Sequence, residues 1–325
     1  MNSKAKRLIK LLLPLLLGVV LVWYSLSKIS ISTLISYFKN ANYLWVIVGV
    51  FFGVLSHFSR AYRWKYLLEP LGYKPKFLNS AMAVFSGYLI NYTIPRAGEV
   101  TRATVLTNYE KVPFEKSIGT IVSERVADMI VLLLIIAVTL LLEFDFIYNL
   151  LIDKFNPKKV VLGLFILIIL GGFMVVYFKK STSKLAIKVR GFVAGLIEGV
   201  LSIFKMKHKW AFIFHTLFIW TMYILMFYVT SFSIEEIQPI PFSAILVGFI
   251  TATFSIAATN GGVGSYPEAV VIAFLLFSLP EEPSRAFGWI MWSSQTIMLV
   301  LLGGISLVFL PFYNKKQSAK PKTSR

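Results

Sequence analysis

The chain has no cysteine, which excludes disulfide bridges, thiolate metal sites and cysteine nucleophiles, although it does not identify a compartment. Charged residues are also scarce, at 15% of the chain against about 25% in soluble proteins. Hydrophobic residues make up 57% of the chain, and its mean hydropathy is +0.74. No stretch of roughly 60 residues, the size of a small soluble domain, lacks a long apolar run. We therefore predict an all-α, polytopic integral membrane protein.

Acidic residues are few relative to basic ones, at 15 against 33, so the formal net charge is +18. A basic soluble protein would suggest nucleic acid as partner. In this chain the Lys and Arg residues lie in the gaps and tails between apolar runs, a pattern typical of the cytoplasmic ends of membrane helices. We expect the membrane and an anionic lipid as partners, and no nucleic acid. A homodimer is left open.

Six apolar runs meet or approach the length of about 20 residues that a membrane span requires. The first run follows basic residues but lacks a small-residue cleavage site, so we interpret it as an uncleaved span. The runs predict one transmembrane domain over 1–312 and a basic cytoplasmic tail over 313–325. The six runs are 8–26, 43–59, 117–142, 160–178, 210–232 and 287–312.

Three further apolar stretches, 77–94, 242–258 and 265–279, are shorter or interrupted. If 77–94 enters the membrane and returns to the same side, the basic loops all become cytoplasmic and the acidic gap 233–241 becomes external, as the positive-inside rule requires. The other two stretches are either two short spans or one re-entrant hairpin. Both choices place the termini in the cytoplasm, and we expect about eight membrane-crossing elements with at least one re-entrant.

Charges inside apolar segments are costly, about 2.5–3.5 kcal/mol each at a helix centre, and normally face a protein interior or a wet cavity. Counting about 20 residues back from Leu142 places Glu124, Arg125 and Asp128 inside the run 117–142. Their spacing of three and four residues allows the side chains to meet. They either line a polar cavity or form an interfacial cluster that pairs internally.

Asn91 and the segment after it form a second candidate site. Pro95 ends the preceding helix, and a new helix can start near Gly98 with Glu99 in its first turn. Arg96 and Arg102 would then lie beside backbone N–H groups at a helix start, a combination suited to phosphate. The alternative is an ordinary basic cytoplasmic loop.

A glycine-rich break separates 242–258 from 265–279. Gly261, Gly262 and Gly264 allow irregular backbone at membrane depth, and Glu268 follows. A plain interhelical turn is the alternative. The break weakly echoes the one at 94–99, and paired breaks of this kind mark the transport site in many carriers.

Other chemistry is not indicated. The glycine break is not a nucleotide motif, and no metal-ligand cluster, nucleophilic triad or paired-carboxylate site is visible. We therefore expect no cofactor, no metal, no catalytic residue and no enzymatic activity. His57 and His215 lie within apolar runs, where a packing role is favoured over a proton relay.

Together these motifs resemble the transmembrane, flippase-like domain of the lysylphosphatidylglycerol synthase/flippase family, over roughly residues 8–312. The resemblance implies lipid translocation or lipid binding in a bacterial inner membrane. It does not imply aminoacyl transfer, because only the tail follows the last run. It is carried by Arg60, Arg63 and Trp64, by Asn91, Pro95–Glu99 and Arg102, by Glu124, Arg125 and Asp128, and by Gly261–Gly264 with Glu268.

Three functions fit these observations. The first is a transporter that moves an anionic phospholipid or a polyprenyl-phosphate-linked lipid between leaflets. The second is a membrane-embedded transferase acting on a lipid head group, with Glu124 or Asp128 as general base. The third is a lipid-binding subunit of an envelope-biogenesis complex. We favour the first because charges of both signs lie beside interrupted helices.

Overall fold

The computed structural model describes residues 16–94, 97–144, 157–183, 185–187, 189–191 and 206–318. Within these ranges every regular element is a helix and no strand occurs, which confirms the predicted all-α membrane architecture. Residue contacts divide the chain into two compact units. The first comprises Met1–Val122 and Trp210–Arg325, and the second comprises Ser123–Lys209.

The helices of eight residues or more in the described ranges are numbered in chain order. They are α1 Leu16–Ser27, α2 Ile31–Asn40, α3 Tyr43–Leu68, α4 Phe77–Thr93, α5 Gly98–Glu110, α6 Phe114–Leu142, α7 Pro157–Lys180, α8 Lys209–Ser231, α9 Phe242–Ala258, α10 Ser265–Leu275 and α11 Glu281–Ser318.

Four helical stretches in the described ranges are long and apolar enough to cross a membrane. They are Tyr43–Leu71, Phe114–Leu142, Lys209–Ser231 and Glu281–Lys315, and they confirm four of the predicted runs. The run 160–178 lies within the 24-residue helix α7. The start of the first run lies outside the described residues, and its remainder is α1, which is bent by 84° from α2.

Side-chain caps explain where α2 and α3 begin. The Ser30 hydroxyl accepts a hydrogen bond from the Thr33 N–H at 3.0 Å, and the Asn42 side-chain oxygen accepts one from the Leu44 N–H at 3.1 Å. Both residues satisfy backbone donors that have no partner within the helix. Ser30 therefore marks the point where the chain bends by 84° from α1 into α2, and Asn42 marks the start of α3.

Two helix pairs in the first unit consist of helices shorter than the about 20 residues that a span typically requires. At 1.5 Å per residue, α4 and α9 (17 residues each) measure about 25 Å, and α10 (11 residues) about 16 Å, against a hydrocarbon core of about 30 Å. In each pair the second helix runs back along the first. Gly98 N–H bonds to Asn91 in one pair, and the Ser255 and Ser265 hydroxyls bond in the other. We call these pairs the first hairpin (α4–α5) and the second hairpin (α9–α10).

Both hairpins pack against α11. The structure thus pairs 77–94 with α5 in one hairpin and 242–258 with α10 in another. Whether 77–94 enters the membrane and returns to the same side stays a prediction. Within the described ranges, four helical stretches are long and apolar enough to cross a membrane, or five if the bent α1–α2 pair forms one span, and shorter apolar helices accompany them. The total of about eight membrane-crossing elements stays a prediction.

The second unit contains most of α6, together with α7. The Arg190 guanidinium ends α7 by donating from Nη1 to the carbonyl oxygens of Phe178 and Lys179 at 3.0 and 2.8 Å. Basic side chains at a helix C-terminus satisfy its last carbonyls and complement its dipole. This contact lies at the start of the strongly basic segment 179–209, for which a cytoplasmic position stays a prediction of the positive-inside rule.

Candidate functional site

The turn of the first hairpin is closed by an asparagine. The Asn91 side-chain oxygen accepts a hydrogen bond from the Gly98 N–H at 2.7 Å, which joins the end of α4 to the start of α5. Glu99 lies in the first turn of α5, as predicted, and is partly buried. Pro95 and Arg96 lie outside the described residues. Asn91 therefore shapes the turn, whereas the predicted contact of Arg96 with phosphate stays a prediction.

The turn of the second hairpin depends on glycine geometry. Gly261, Gly262 and Gly264 have φ angles of +70°, +78° and +69°, which other residues rarely adopt. The Thr259 hydroxyl accepts a hydrogen bond from the Gly262 N–H at 3.1 Å and lies 2.9 Å from the Ser265 hydroxyl. The glycines thus allow the chain to reverse within six residues, with its polar atoms satisfied locally.

The two turns meet. The Asn260 Nδ2 donates to the Tyr92 carbonyl oxygen at 2.9 Å, and the Trp292 Nε1 donates to the Gly261 carbonyl oxygen at 2.8 Å. The hydroxyls of Tyr92 and Thr296 are 3.3 Å apart. A Cβ added to Gly261 would lie 2.7 Å from the Tyr92 ring. We call these five residues the hairpin junction.

The junction meets α11 at Trp292 and Thr296, in its N-terminal half, and the hairpins reach this point from opposite ends of the helix. At the base of the first hairpin, Asn79 and Asn314 exchange amide hydrogen bonds of 2.8 and 2.9 Å. In the second hairpin, Glu268 pairs with Arg285, near the start of α11. The first hairpin therefore lies along the C-terminal part of α11 and the second along its N-terminal part. The two hairpins whose breaks resemble each other weakly in sequence are thus in direct contact.

Arg102 lies buried in the second turn of α5, 3% exposed, and its guanidinium carbon is 4.4 Å from the centre of the Trp64 ring on α3. Arg63 is fully buried, donates from Nη1 to the Thr216 hydroxyl at 2.9 Å and stacks over Phe212 at 5.3 Å. Arginine stacks well on aromatic faces in dry surroundings. A concentration of buried positive charge thus lies on α3 and α5.

Arg60 and Arg63 are functional candidates that reasoning from charge and spacing missed, since only the family resemblance drew attention to them. Arg60 is 2% exposed. The predicted run ends at residue 59, but α3 continues to Leu68, so both arginines are helical rather than in a loop. The available signal was their spacing with Trp64, because residues three and four apart share a helix face.

The charged cluster of α6 belongs to the second unit. Glu124 is fully buried and Asp128 is 6% exposed, whereas Arg125 is exposed. The Arg125 Nη1 lies 4.0 Å from the Asp128 Oδ2, so the two side chains meet as predicted, at the limit of an ion pair. Two buried carboxylates on a helix that can cross the membrane are costly and mark a functional candidate.

Glu268 has a clear partner. The Arg285 guanidinium binds it at 2.8 and 3.2 Å through two nitrogens, and the Ser25 hydroxyl donates to it at 2.6 Å. The structure therefore places this predicted site residue in a link between α1, α10 and α11, about two turns from the hairpin junction. Its predicted role in substrate binding stays a prediction.

These features define a class: a polytopic helical membrane protein in which two broken hairpins meet against one long helix. The model of the family described as the lysylphosphatidylglycerol synthase TM region matches residues 11–304. The chain belongs to this family, and the predicted resemblance is confirmed.

A relative by sequence is the UPF0104 membrane protein MJ1595 of Methanocaldococcus jannaschii. It is 22% identical over 337 residues, which cover 94% of this chain and 96% of the relative. No solved structure matches the chain at a significant level.

Proposed function

We propose that the protein moves an anionic lipid, a phospholipid or a polyprenyl-phosphate-linked lipid, between the leaflets of a membrane. The observation that carries the proposal is the hairpin junction, where two interrupted elements that lie along opposite parts of α11 meet beside Trp292 and Thr296. In secondary transporters, sites for substrate lie at such breaks near the bilayer midplane. Irregular backbone at that depth is tolerated where it is buried in protein or faces a cavity.

The charge distribution supports an anionic head group as cargo. The buried arginines Arg60, Arg63 and Arg102 favour phosphate, which guanidinium groups bind through paired hydrogen bonds. The acyl chains would remain in the surrounding lipid while the head group follows the polar path. The protein acts in this proposal as a carrier and not as an enzyme, and both termini lie in the cytoplasm.

The first test is translocation by purified protein in liposomes. The vesicles contain a fluorescent anionic or zwitterionic phospholipid, and a membrane-impermeant reductant quenches the outer leaflet. Quenching beyond the half seen in protein-free vesicles is expected for the anionic lipid. No excess quenching with any lipid, from protein that retains its thermal unfolding transition, would contradict the proposal.

A matched pair of variants on α6 tests the buried charge. Glu124→Gln changes a fully buried carboxylate, whereas Glu115→Gln changes an exposed one on the same helix. We expect Glu124→Gln to slow translocation at least about tenfold, equivalent to ~1.4 kcal/mol in the barrier, and Glu115→Gln to leave it unchanged. Equal rates in both variants would exclude a role for the buried carboxylate.

A reversible crosslink tests whether the junction must open. Because the chain has no cysteine, the pair Thr93→Cys and Asn260→Cys can be linked selectively with a cleavable bifunctional thiol reagent. Translocation is read here by extracting the fluorescent lipid from the outer leaflet with albumin, so that no reductant is present during the assay. It is expected to stop when the link forms and to return after a reductant has cleaved the link. The two single-cysteine variants, treated identically, serve as controls. Unchanged transport in the linked protein would show that lipid does not pass by separating the hairpins.

A further inference from the structure

His57 lies in the middle of α3 with unusual surroundings. The side chain is 2% exposed, and its ring centre lies 5.7 Å from that of Phe85, 4.7 Å from Tyr88 and 5.8 Å from Tyr223. Neither ring nitrogen has a hydrogen-bond partner among the residues that the structure describes. Because the great majority of buried polar side-chain atoms in proteins are paired, this exception calls for a physical reason.

Trp220 on α8 shows the same exception nearby. It is 8% exposed, its ring centre lies 6.2 Å from that of Tyr223, and its Nε1 has no hydrogen-bond partner within the described ranges. Arg60 follows His57 by three residues on α3, and its Nη2 lies 3.5 Å from the Tyr223 hydroxyl. We call His57, Arg60, Tyr88, Trp220 and Tyr223 the His57 box.

Hydrogen-bond donors outnumber acceptors in the His57 box. The Trp220 indole and the Arg60 guanidinium can only donate, while His57 and the two tyrosine hydroxyls can donate as well as accept. A ligand that satisfies this set must bring several acceptor oxygens, and the permanent charge of arginine favours a negative ligand. Phosphate meets both requirements, because its oxygens accept strong hydrogen bonds from charged donors.

The box lies beside the hairpin junction. Tyr88, which is only partly buried, precedes the junction residue Tyr92 by one helical turn on α4. Phe85, against which His57 packs, also contacts Met298 and Leu299 of α11. A head group held in the box would therefore stand one turn from the point where the two hairpins meet.

We propose that the His57 box binds the phosphate of the lipid head group. The proposal rests on the proposed function and names a subsite for it. His57 and Trp220 supply neutral donors, Arg60 supplies the positive charge, and the tyrosine hydroxyls complete the shell. Such a subsite recognises the phosphate that different phospholipids share, and not the group esterified to it.

The three histidines of the chain allow a direct test. The protein is labelled with carbon-13 at histidine Cε1, purified in a maltoside detergent and observed by NMR, with assignment by His57→Gln, His208→Gln and His215→Gln. Short-chain phosphatidylglycerol and phosphatidylcholine are titrated in. The His57 signal is expected to shift saturably with both, while the His208 signal stays unchanged.

Two comparators identify the ligand chemistry. A short-chain diacylglycerol, which lacks phosphate, is expected to leave the His57 signal unmoved, and a shift with it would overturn the proposal. Inorganic phosphate is expected to act only weakly. If it matches the phospholipid in affinity, the ligand is free phosphate and the assignment to a lipid fails.

Two variants connect the response to the box. Arg60→Gln is expected to weaken the apparent affinity at least about tenfold, because a charged donor is lost. Trp220→Phe keeps a ring and removes only the Nε1 donor, so it serves if Arg60→Gln does not fold, and it is expected to weaken binding by a smaller factor. Wild-type affinity in a folded variant of either kind would overturn the proposal.

The outcomes separate the subsite from the function. If the wild-type protein translocates lipid while no phospholipid moves the His57 signal, the subsite is refuted and the proposed function stands. If the His57 signal saturates with phospholipid but liposomes show no translocation, the subsite stands and the proposed function is refuted.

Discussion

The ion pair between Glu268 and Arg285 links the second hairpin to α11, and its contribution can be estimated from its geometry. The Arg285 side chain is 2% exposed and that of Glu268 is 14% exposed. Two guanidinium nitrogens contact both carboxylate oxygens at 2.8 and 3.2 Å, and Ser25 adds a third hydrogen bond at 2.6 Å. The pair is thus buried, bidentate and well satisfied.

Arg285→Ala removes the partner and leaves the Glu268 carboxylate with Ser25 alone. Loss of one member of a buried pair typically costs about 3–5 kcal/mol, because the remaining charge is desolvated and uncompensated. Glu281→Ala provides the control, because Glu281 bonds the same guanidinium at 2.9 Å but is 51% exposed. An exposed pair contributes about 0–1 kcal/mol.

The assay is equilibrium unfolding of the purified protein in mixed detergent micelles, followed by tryptophan fluorescence. Trp289 is a useful reporter, since its Nε1 donates to the Ser25 hydroxyl at 3.2 Å within the same network. The single variants Glu268→Gln and Arg285→Met, measured with the double variant Glu268→Gln/Arg285→Met, form a cycle. We expect the double variant to recover part of the loss of Arg285→Met, because no unpaired charge remains.

The result that would refute the reasoning is equal destabilisation by Arg285→Ala and Glu281→Ala. It would mean that water reaches the Glu268 carboxylate, and that the second hairpin is held to α11 by apolar packing alone. A coupling below about 0.5 kcal/mol in the cycle would lead to the same conclusion.

Further predictions concern packing against α11. Gly303→Ala places a Cβ 2.6 Å from an α4 side chain and should lower stability by about 1–3 kcal/mol in the unfolding assay. The neighbouring Gly304→Ala meets nothing within 4 Å and should be neutral or slightly stabilising; equal effects would refute this packing. Asn314→Ala leaves the buried Asn79 amide short of one partner and should cost about 1–3 kcal/mol in the same assay. Gly261→Ala is strained at φ +70° and should reduce translocation in liposomes, and wild-type rates would contradict a tight junction.

The pattern of apolar runs and basic residues along the whole chain predicted the all-α membrane architecture well. Apolar runs locate the long helices because a helix must satisfy its own backbone in lipid. The predicted return of 77–94 follows from the distribution of Lys and Arg between loops, which is a property of the whole chain. The turn of the second hairpin is visible in Gly261, Gly262 and Gly264, since positive φ leaves a signature in composition.

The sequence patterns did not identify the partners of the buried charged side chains. Glu268 looks like a substrate ligand in the sequence, but its charge is matched by Arg285, which lies in the next helix. Arg60 and Arg63 look like the start of a loop because hydropathy falls at residue 60, whereas burial and aromatic stacking retain them in α3. A sequence pattern shows that a buried charge is energetically costly. The partner that offsets this cost is visible only in the packed structure.

The strengths of the contacts along the two hairpins indicate where movement costs least. The first hairpin is tied to α11 by the reciprocal Asn79–Asn314 amide pair, and the second by the bidentate Glu268–Arg285 pair. At the junction, Asn260 joins the two hairpins by donating to the Tyr92 carbonyl oxygen, a neutral hydrogen bond of a type worth about 0.5–1.5 kcal/mol. Because the glycine turn adds freedom at the same point, a rearrangement that opens a path for a head group needs less free energy if the tips separate while the ties to α11 stay in place.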